Sequence, residues 1–98
     1  MYTLYCRKGA GSVAIEAVLA VIASRYTVVD LERDAEGAFP DSLRAINPKA
    51  EVPTLRLPDD SIMTESAAMT IHLADLHGEA GLAPAIAATE RAEYLRWM

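Results

Sequence analysis

The first apolar stretch, Tyr2-Thr3-Leu4-Tyr5, is short and rich in aromatic and β-branched side chains, a pattern that predicts a strand. Cys6-Arg7-Lys8-Gly9-Ala10-Gly11 interrupts it with two glycines and two cations, the composition of a loop. From Ser12 the period changes. Ile15, Val18, Leu19 and Ile22 recur at the i, i+3, i+4, i+7 spacing of one helix face, so a helix is expected from Ser12, placed as its N-cap, to about Ser24. Val13, Val21 and the alanines widen that face, which predicts burial on more than one side. Tyr26-Thr27-Val28-Val29-Asp30-Leu31 is β-prone again, and strand, helix and strand together make a βαβ unit.

The charged run Glu32 to Gly37 reads as a loop, and Phe39 to Ile46 as a short helix stopped at Asn47-Pro48, because a residue before proline avoids the helical region. Val52-Pro53-Thr54-Leu55-Arg56-Leu57 alternates apolar and polar from Pro53 onward. Pro58-Asp59-Asp60-Ser61 supplies a turn, and Ile62-Met63-Thr64 completes a hairpin. Glu65 or Ser66 opens a helix through about Leu76, with stripes of Met69, Leu73, Leu76 and of Ala67, Ile71, Ala74, and Gly78 sits where a helix stop belongs. The order β-α-β-α-β-β-α is complete by His77. Gly78 to Pro84 has the composition of a linker, and Thr89 is expected to cap a helix over Glu90–Met98. Tyr94, Leu95, Trp97 and Met98 are more large apolar side chains than that helix can bury alone.

Length and composition narrow the classes. The 98 residues suit one small domain, and the pattern divides them into a unit over 1–78, a linker over 79–88 and the start of a further helical unit over 89–98, an apparently truncated second domain. The chain is 52% hydrophobic but holds 18 alanines, so its core is built from many small side chains. Lys and Arg number 9 against 14 Asp and Glu, a net charge of −5 that argues against a nucleic-acid partner. The run Val13 to Ala23 is too short to cross a bilayer and contains Glu16, so no membrane association is expected. A single cysteine excludes a disulfide framework, and with the two histidines, His72 and His77, far along the chain from it no metal site is expected. A lone thiol is ordinary in the cytoplasm, the expected location.

Candidate chemistry gathers at the helix starts. Ser12 lies where free N–H groups and the helix dipole favour an anion, and a thiolate placed there would be stabilised; the alternative is a plain N-cap. Cys6 is either a nucleophile near that helix or a small buried hydrophobe. Arg7 and Lys8 could receive an anion or could be solvated surface cations. The Val52-Pro53 bond, if cis, would expose the peptide groups of Val52 to a peptide-like ligand. Glu65 could hold an ammonium while the Ser66 hydroxyl and helix N–H groups hold a carboxylate, a pairing that suits an α-amino-acid head group; an ordinary acidic first turn is the alternative.

Taken in order, these segments resemble one family. Tyr2 to Tyr5, the loop Gly9-Ala10-Gly11-Ser12-Val13 and the helix with Glu16 look like the start of a bacterial glutathione S-transferase. Asn47-Pro48-Lys49, Val52-Pro53-Thr54-Leu55 and Thr64-Glu65-Ser66-Ala67-Ala68-Met69 resemble its further signatures, and Leu82-Ala83-Pro84 with Glu90 to Trp97 resembles its linker and the opening of its helical second domain. The resemblance implies an α/β fold, a thioredoxin-like domain with a mixed four-stranded sheet, followed by the start of an all-α domain. It further implies glutathione as co-substrate, a cis bond before Pro53, Val52 pairing with the cysteinyl part, Glu65 and Ser66 gripping the γ-glutamyl end, and Ser12 nearest the sulfur. Tyr5 matches a position where some members carry a tyrosine near the active centre, and a homodimer is implied. The sequence departs from the pattern at Gly11, where one bacterial branch has cysteine, and at Lys8, where the loop often has proline. The expected function is attack of the glutathione thiolate on small hydrophobic electrophiles. A non-catalytic glutathione-binding or interaction module, and a glutaredoxin-like monothiol reductase using Cys6, are the alternatives.

Overall fold

In a computed structural model describing residues 1–9 and 11–98, strand β1 (Tyr2–Cys6) runs through the middle of a four-stranded sheet. Ala10, part of the loop singled out above, lies outside the described residues. Helix α1 (Val13–Val21) leads to β2 (Tyr26–Asp30), which pairs parallel to β1 with Leu4 opposite Val28. After α2 (Asp41–Ile46), strand β3 (Thr54–Arg56) pairs antiparallel on the other side of β1, and β4 (Ile62–Met63) closes the edge against β3. The sheet order is β2-β1-β3-β4, a mixed sheet of the thioredoxin-like kind. Helix α3 (Ser66–Leu76), a 3₁₀ turn (Gly78–Ala80) and α4 (Arg91–Arg96) complete the described chain.

The two-residue period of β1 sorts its side chains. Tyr2, Leu4 and Cys6 join Leu55 of β3, Ile15 and Leu19 of α1, and Met69 and Leu73 of α3 in one core. Six of these, Leu4, Ile15, Leu19, Leu55, Met69 and Leu73, have no exposed surface, and each contributes roughly 1.5–3 kcal/mol of transfer free energy. On the opposite face Thr54 is fully buried and hydrogen-bonded to Asn47, just beyond the end of α2.

Several sequence expectations need correction. α1 ends at Val21 rather than Ser24, and it is buried on one side only: Val13 and Val21 are 71% and 58% exposed. Each lies two residues from a core position, about 200° around the helix, so both face away from the sheet. Leu76, the last residue of α3, likewise is 59% exposed, whereas Thr70, which neither stripe includes, is buried. α3 does end at Leu76, with His77 as its C-cap; beyond it Gly78 begins a 3₁₀ turn, and Gly81 ends that turn at φ +67°, a left-handed conformation open to glycine. Glu90, not Thr89, is the N-cap of α4.

Arg91, the first residue of α4, ties it back to the body. Its guanidinium donates to both carboxylate oxygens of Asp75 in α3, at 2.9 and 3.0 Å, and to the Pro84 carbonyl at 3.0 Å. Leu95, Trp97 and Met98 remain exposed. No helix among the described residues is long and apolar enough to cross a membrane.

Candidate functional site

Three chain junctions carry the residues singled out in the sequence. At the first, β1 passes into α1. Ser12 sits at the N-cap position and is buried, but its backbone is already helical (φ −81°, ψ −9°) and its side chain makes no capping bond. The first bond of the helix runs from the Glu16 N–H to the Ser12 carbonyl, which leaves the first-turn N–H groups without intrahelical acceptors. The hydroxyl is therefore not consumed by the helix, contrary to the expectation of a side-chain cap.

Beside Ser12 lies Cys6, only 2% exposed, whose thiol donates to Asp30 Oδ1 at 3.3 Å. Burial pushes the Cys6 thiol up; the Ser12 hydroxyl pulls it the other way, and the Asp30 and Glu16 carboxylates raise it further. A buried, protonated thiol is a poor nucleophile, which counts against the monothiol-reductase alternative. Tyr5, one residue earlier, projects from the other face of the strand, where the Arg56 guanidinium lies 5.7 Å from its ring. The strand's alternation thus separates Tyr5 from Cys6 and Ser12.

The second junction is the loop between α2 and β3. The Val52-Pro53 bond is cis. Neither peptide group of Val52 has a backbone partner among the described residues. The loop before it is pinned by side chains that sequence reasoning did not single out for this. Asn47, 4% exposed, donates from Nδ2 to the Thr54 hydroxyl at 3.0 Å and to the Glu51 carbonyl at 3.3 Å, while its Oδ1 accepts the Lys49 N–H at 3.1 Å. Thr54 in turn donates to the Glu51 carbonyl at 2.7 Å. No local signal marked the pair: Asn47 and Thr54 stand seven positions apart with Lys49 and Glu51 between them, and by its place before Pro48 Asn47 read as a helix stop.

At the third junction, β4 passes into α3. Glu65 lies two residues beyond Met63, the partner of Leu55 on β3. Glu65 is the N-cap of α3, at φ +69°, a region that residues with a Cβ rarely adopt, and its carboxylate makes no capping bond. Glu65 and Ser66 are both exposed. The Ser66 carbonyl accepts from the Thr70 hydroxyl within the helix.

The first and third junctions meet. Gly11, next to Ser12, and Ala14 line a cleft of about 260 Å³ together with Ser66, Ala67 and Thr70, and Trp97 and Met98 from the end of α4 form its rim. Two helix N-termini thus open toward one cleft, a setting that favours a negatively charged group. Arg7 and Lys8 do not join it: they line a separate depression of about 420 Å³ with Asp30, Leu31, Glu32 and Arg33. Among the described residues, no group of three or more His, Cys, Asp or Glu side chains is arranged to hold a metal ion.

A thioredoxin-like sheet with an anion-favouring cleft at two helix starts defines the class. The sequence model of the glutathione S-transferase N-terminal domain matches residues 14–76, and the chain belongs to that family. It is 37% identical over 97 residues to the uncharacterized GST-like protein YncG of Escherichia coli strain K12, a match covering 98% of this chain and 46% of that protein. Among solved structures, a glutathione transferase from Methylococcus capsulatus is similar at a TM-score of 0.86 with 32% identity, over 99% of this chain and 48% of that one. A glutathione transferase homologue from Sulfitobacter, solved with bound glutathione, is similar at a TM-score of 0.78 with 40% identity, over 95% of this chain and 44% of that one. The chain spans less than half the length of these relatives.

Proposed function

We propose that the chain binds glutathione in the cleft between α1 and α3 and stabilises its thiolate for attack on small hydrophobic electrophiles. The observation that carries this reading is that the starts of α1 and α3 meet: neither helix start has a side-chain cap, and Gly11 and Ala14 beside Ser12 line one cleft with Ser66 and Ala67. In this reading the γ-glutamyl head group lies at Glu65 and Ser66, its ammonium on the carboxylate and its carboxylate on the Ser66 hydroxyl and the free N–H groups. Val52 pairs its two open peptide groups with the cysteinyl residue. Ser12 donates its hydroxyl to the sulfur.

The chemistry this arrangement serves is simple. The thiol loses its proton to solvent, the sulfur lone pair forms a bond to the electrophilic carbon, and the leaving group departs with the bonding electrons. Preorganised donors lower the barrier by holding the thiolate where it forms. Residues 1–78 act as the glutathione-binding unit in this proposal, with 79–88 as linker and 89–98 as the opening of a helical second domain. A homodimer working in the cytoplasm fits the same reading.

Isothermal titration calorimetry with glutathione tests it, run beside an assay with a chromogenic electrophile. Saturable one-site binding that weakens in Glu65→Gln is expected. Absence of binding at millimolar glutathione would refute it, and binding without turnover would restrict the role to that of a binding module.

A further inference from the structure

We infer that Asn47 and Thr54 are positioning residues for ligand binding: by clasping the Glu51 carbonyl from two sides they hold the peptide groups of Val52 in the orientation that a peptide-like ligand must meet. The inference rests on the glutathione-binding reading and adds to it the device that presents Val52.

The geometry is that of a closed ring. The Glu51 carbonyl accepts from the Thr54 hydroxyl at 2.7 Å and from Asn47 Nδ2 at 3.3 Å, and Nδ2 also reaches the Thr54 oxygen at 3.0 Å. Two more bonds, Lys49 N–H to Asn47 Oδ1 at 3.1 Å and Ala50 N–H to the Asn47 carbonyl at 2.8 Å, close the turn upstream. Every polar atom of the Asn47 side chain is engaged within seven residues of chain. Asn47 and Thr54 are 4% and 0% exposed, so these bonds form out of competition with water. Val52 lies inside the ring, one residue after the clasped carbonyl, and is itself spared: nothing in the described backbone bonds to it.

That combination is informative. Within one turn the Glu51 carbonyl is held by two donors, while the N–H and carbonyl of Val52 have no backbone partner among the described residues. Fixing the Glu51 carbonyl fixes the plane of the peptide that carries the Val52 N–H, because the two belong to one planar unit. Thr54 also starts β3 and pairs with Tyr5, so the ring is anchored to the central strand of the sheet. Preorganised in this way, Val52 meets a ligand without the entropy cost of ordering a loop.

Thr54→Val removes the hydroxyl at nearly constant shape, and Thr54→Ser restores it. Using the 98-residue chain at a temperature where each variant is folded, the dissociation constant for glutathione is expected to rise roughly five- to tenfold in Thr54→Val, the worth of one net hydrogen bond, and to return within about twofold of the parent in Thr54→Ser. Hydrogen exchange at the Lys49 amide, which Asn47 Oδ1 holds within the same ring, should quicken in Thr54→Val before ligand is added. If Thr54→Val does not fold, Asn47→Asp takes its place: it keeps the acceptor for Lys49 and removes both donors from Nδ2, and the same rise in dissociation constant is expected. A merely structural role would lower the melting temperature and leave the affinity of the folded protein unchanged, and that result overturns the inference alone. Failure of the parent chain to bind glutathione overturns both the inference and the reading on which it rests.

Discussion

Replacing Ser12 with alanine separates two roles that the sequence leaves superimposed. Were the side chain a helix cap, its loss would cost about 1 kcal/mol of stability, which for a domain of this size is a fall in Tm of roughly 4–8 °C. The structure contains no such bond, so the expected change is smaller than about 2 °C. If the hydroxyl instead donates to a bound thiolate, its loss removes one hydrogen bond to a charged group, worth about 1.5–3 kcal/mol. That corresponds to a rise of roughly 1–2 units in the pKa of the bound glutathione thiol. At a pH below the thiol pKa of the parent complex the reactive thiolate then falls about 10- to 150-fold in population, and the rate with an electrophile falls with it. Two measurements decide the matter: the melting curve of Ser12→Ala, and the ultraviolet absorbance of the glutathione thiolate titrated against pH in the complex. A Tm loss of cap size with an unmoved thiol pKa would refute the assignment and return Ser12 to a plain helix start.

Two further outcomes follow from titratable groups. Cys6, raised first by burial, should react with a disulfide reagent at neutral pH more slowly in the native chain than in the unfolded one; equal rates would place the thiol in solvent. The sign of its effect on stability is fixed: the contribution is present below the free-thiol range and is lost as pH rises through the higher native value. Asp75 behaves oppositely. Hydrogen bonds from the Arg91 guanidinium hold its carboxyl below the usual range, so its contribution is present above about pH 4 and is lost as pH falls through the depressed native value. Denaturant titrations of Asp75→Asn should therefore show a stability deficit at neutral pH that closes in acid; a deficit independent of pH would mean that packing, not the ion pair, ties α4 to α3.

The parts of this fold that the sequence made legible are those set by local period. The i, i+3, i+4 spacing of Ile15, Val18, Leu19 and Ile22 marks the core face of α1, and the apolar clusters at Tyr2 and Tyr26 mark two paired strands. Element ends were less legible because they depend on backbone angles that no pattern encodes. Ser12 is a cap by type and position, yet ψ near zero turns it away from the role. Val13 and Val21 show the same limit for burial: hydrophobicity alone could not say that they lie on the far side of the helix. Of the candidate site, the residues at the helix starts could be named, whereas their convergence could not, since it depends on α1 and α3 packing on one face of the sheet. The ring around Glu51 and the Arg91–Asp75 pair join residues of ordinary type across a turn or a helix, and nothing in their immediate neighbours announces the partner.

The central strand also sets a rule of parity on the chain. Its even positions supply the core and bring sulfur beside Ser12, and its odd positions face the other layer, with Tyr5 opposite Thr54. One residue inserted or deleted within Tyr2–Cys6 would exchange the two sets, carrying Leu4 out of the core and Tyr5 into it. Changes of length in this strand can therefore be accommodated only in pairs, while the loop that follows, already interrupted by Gly9 and Gly11 at positive φ, is under no such arithmetic.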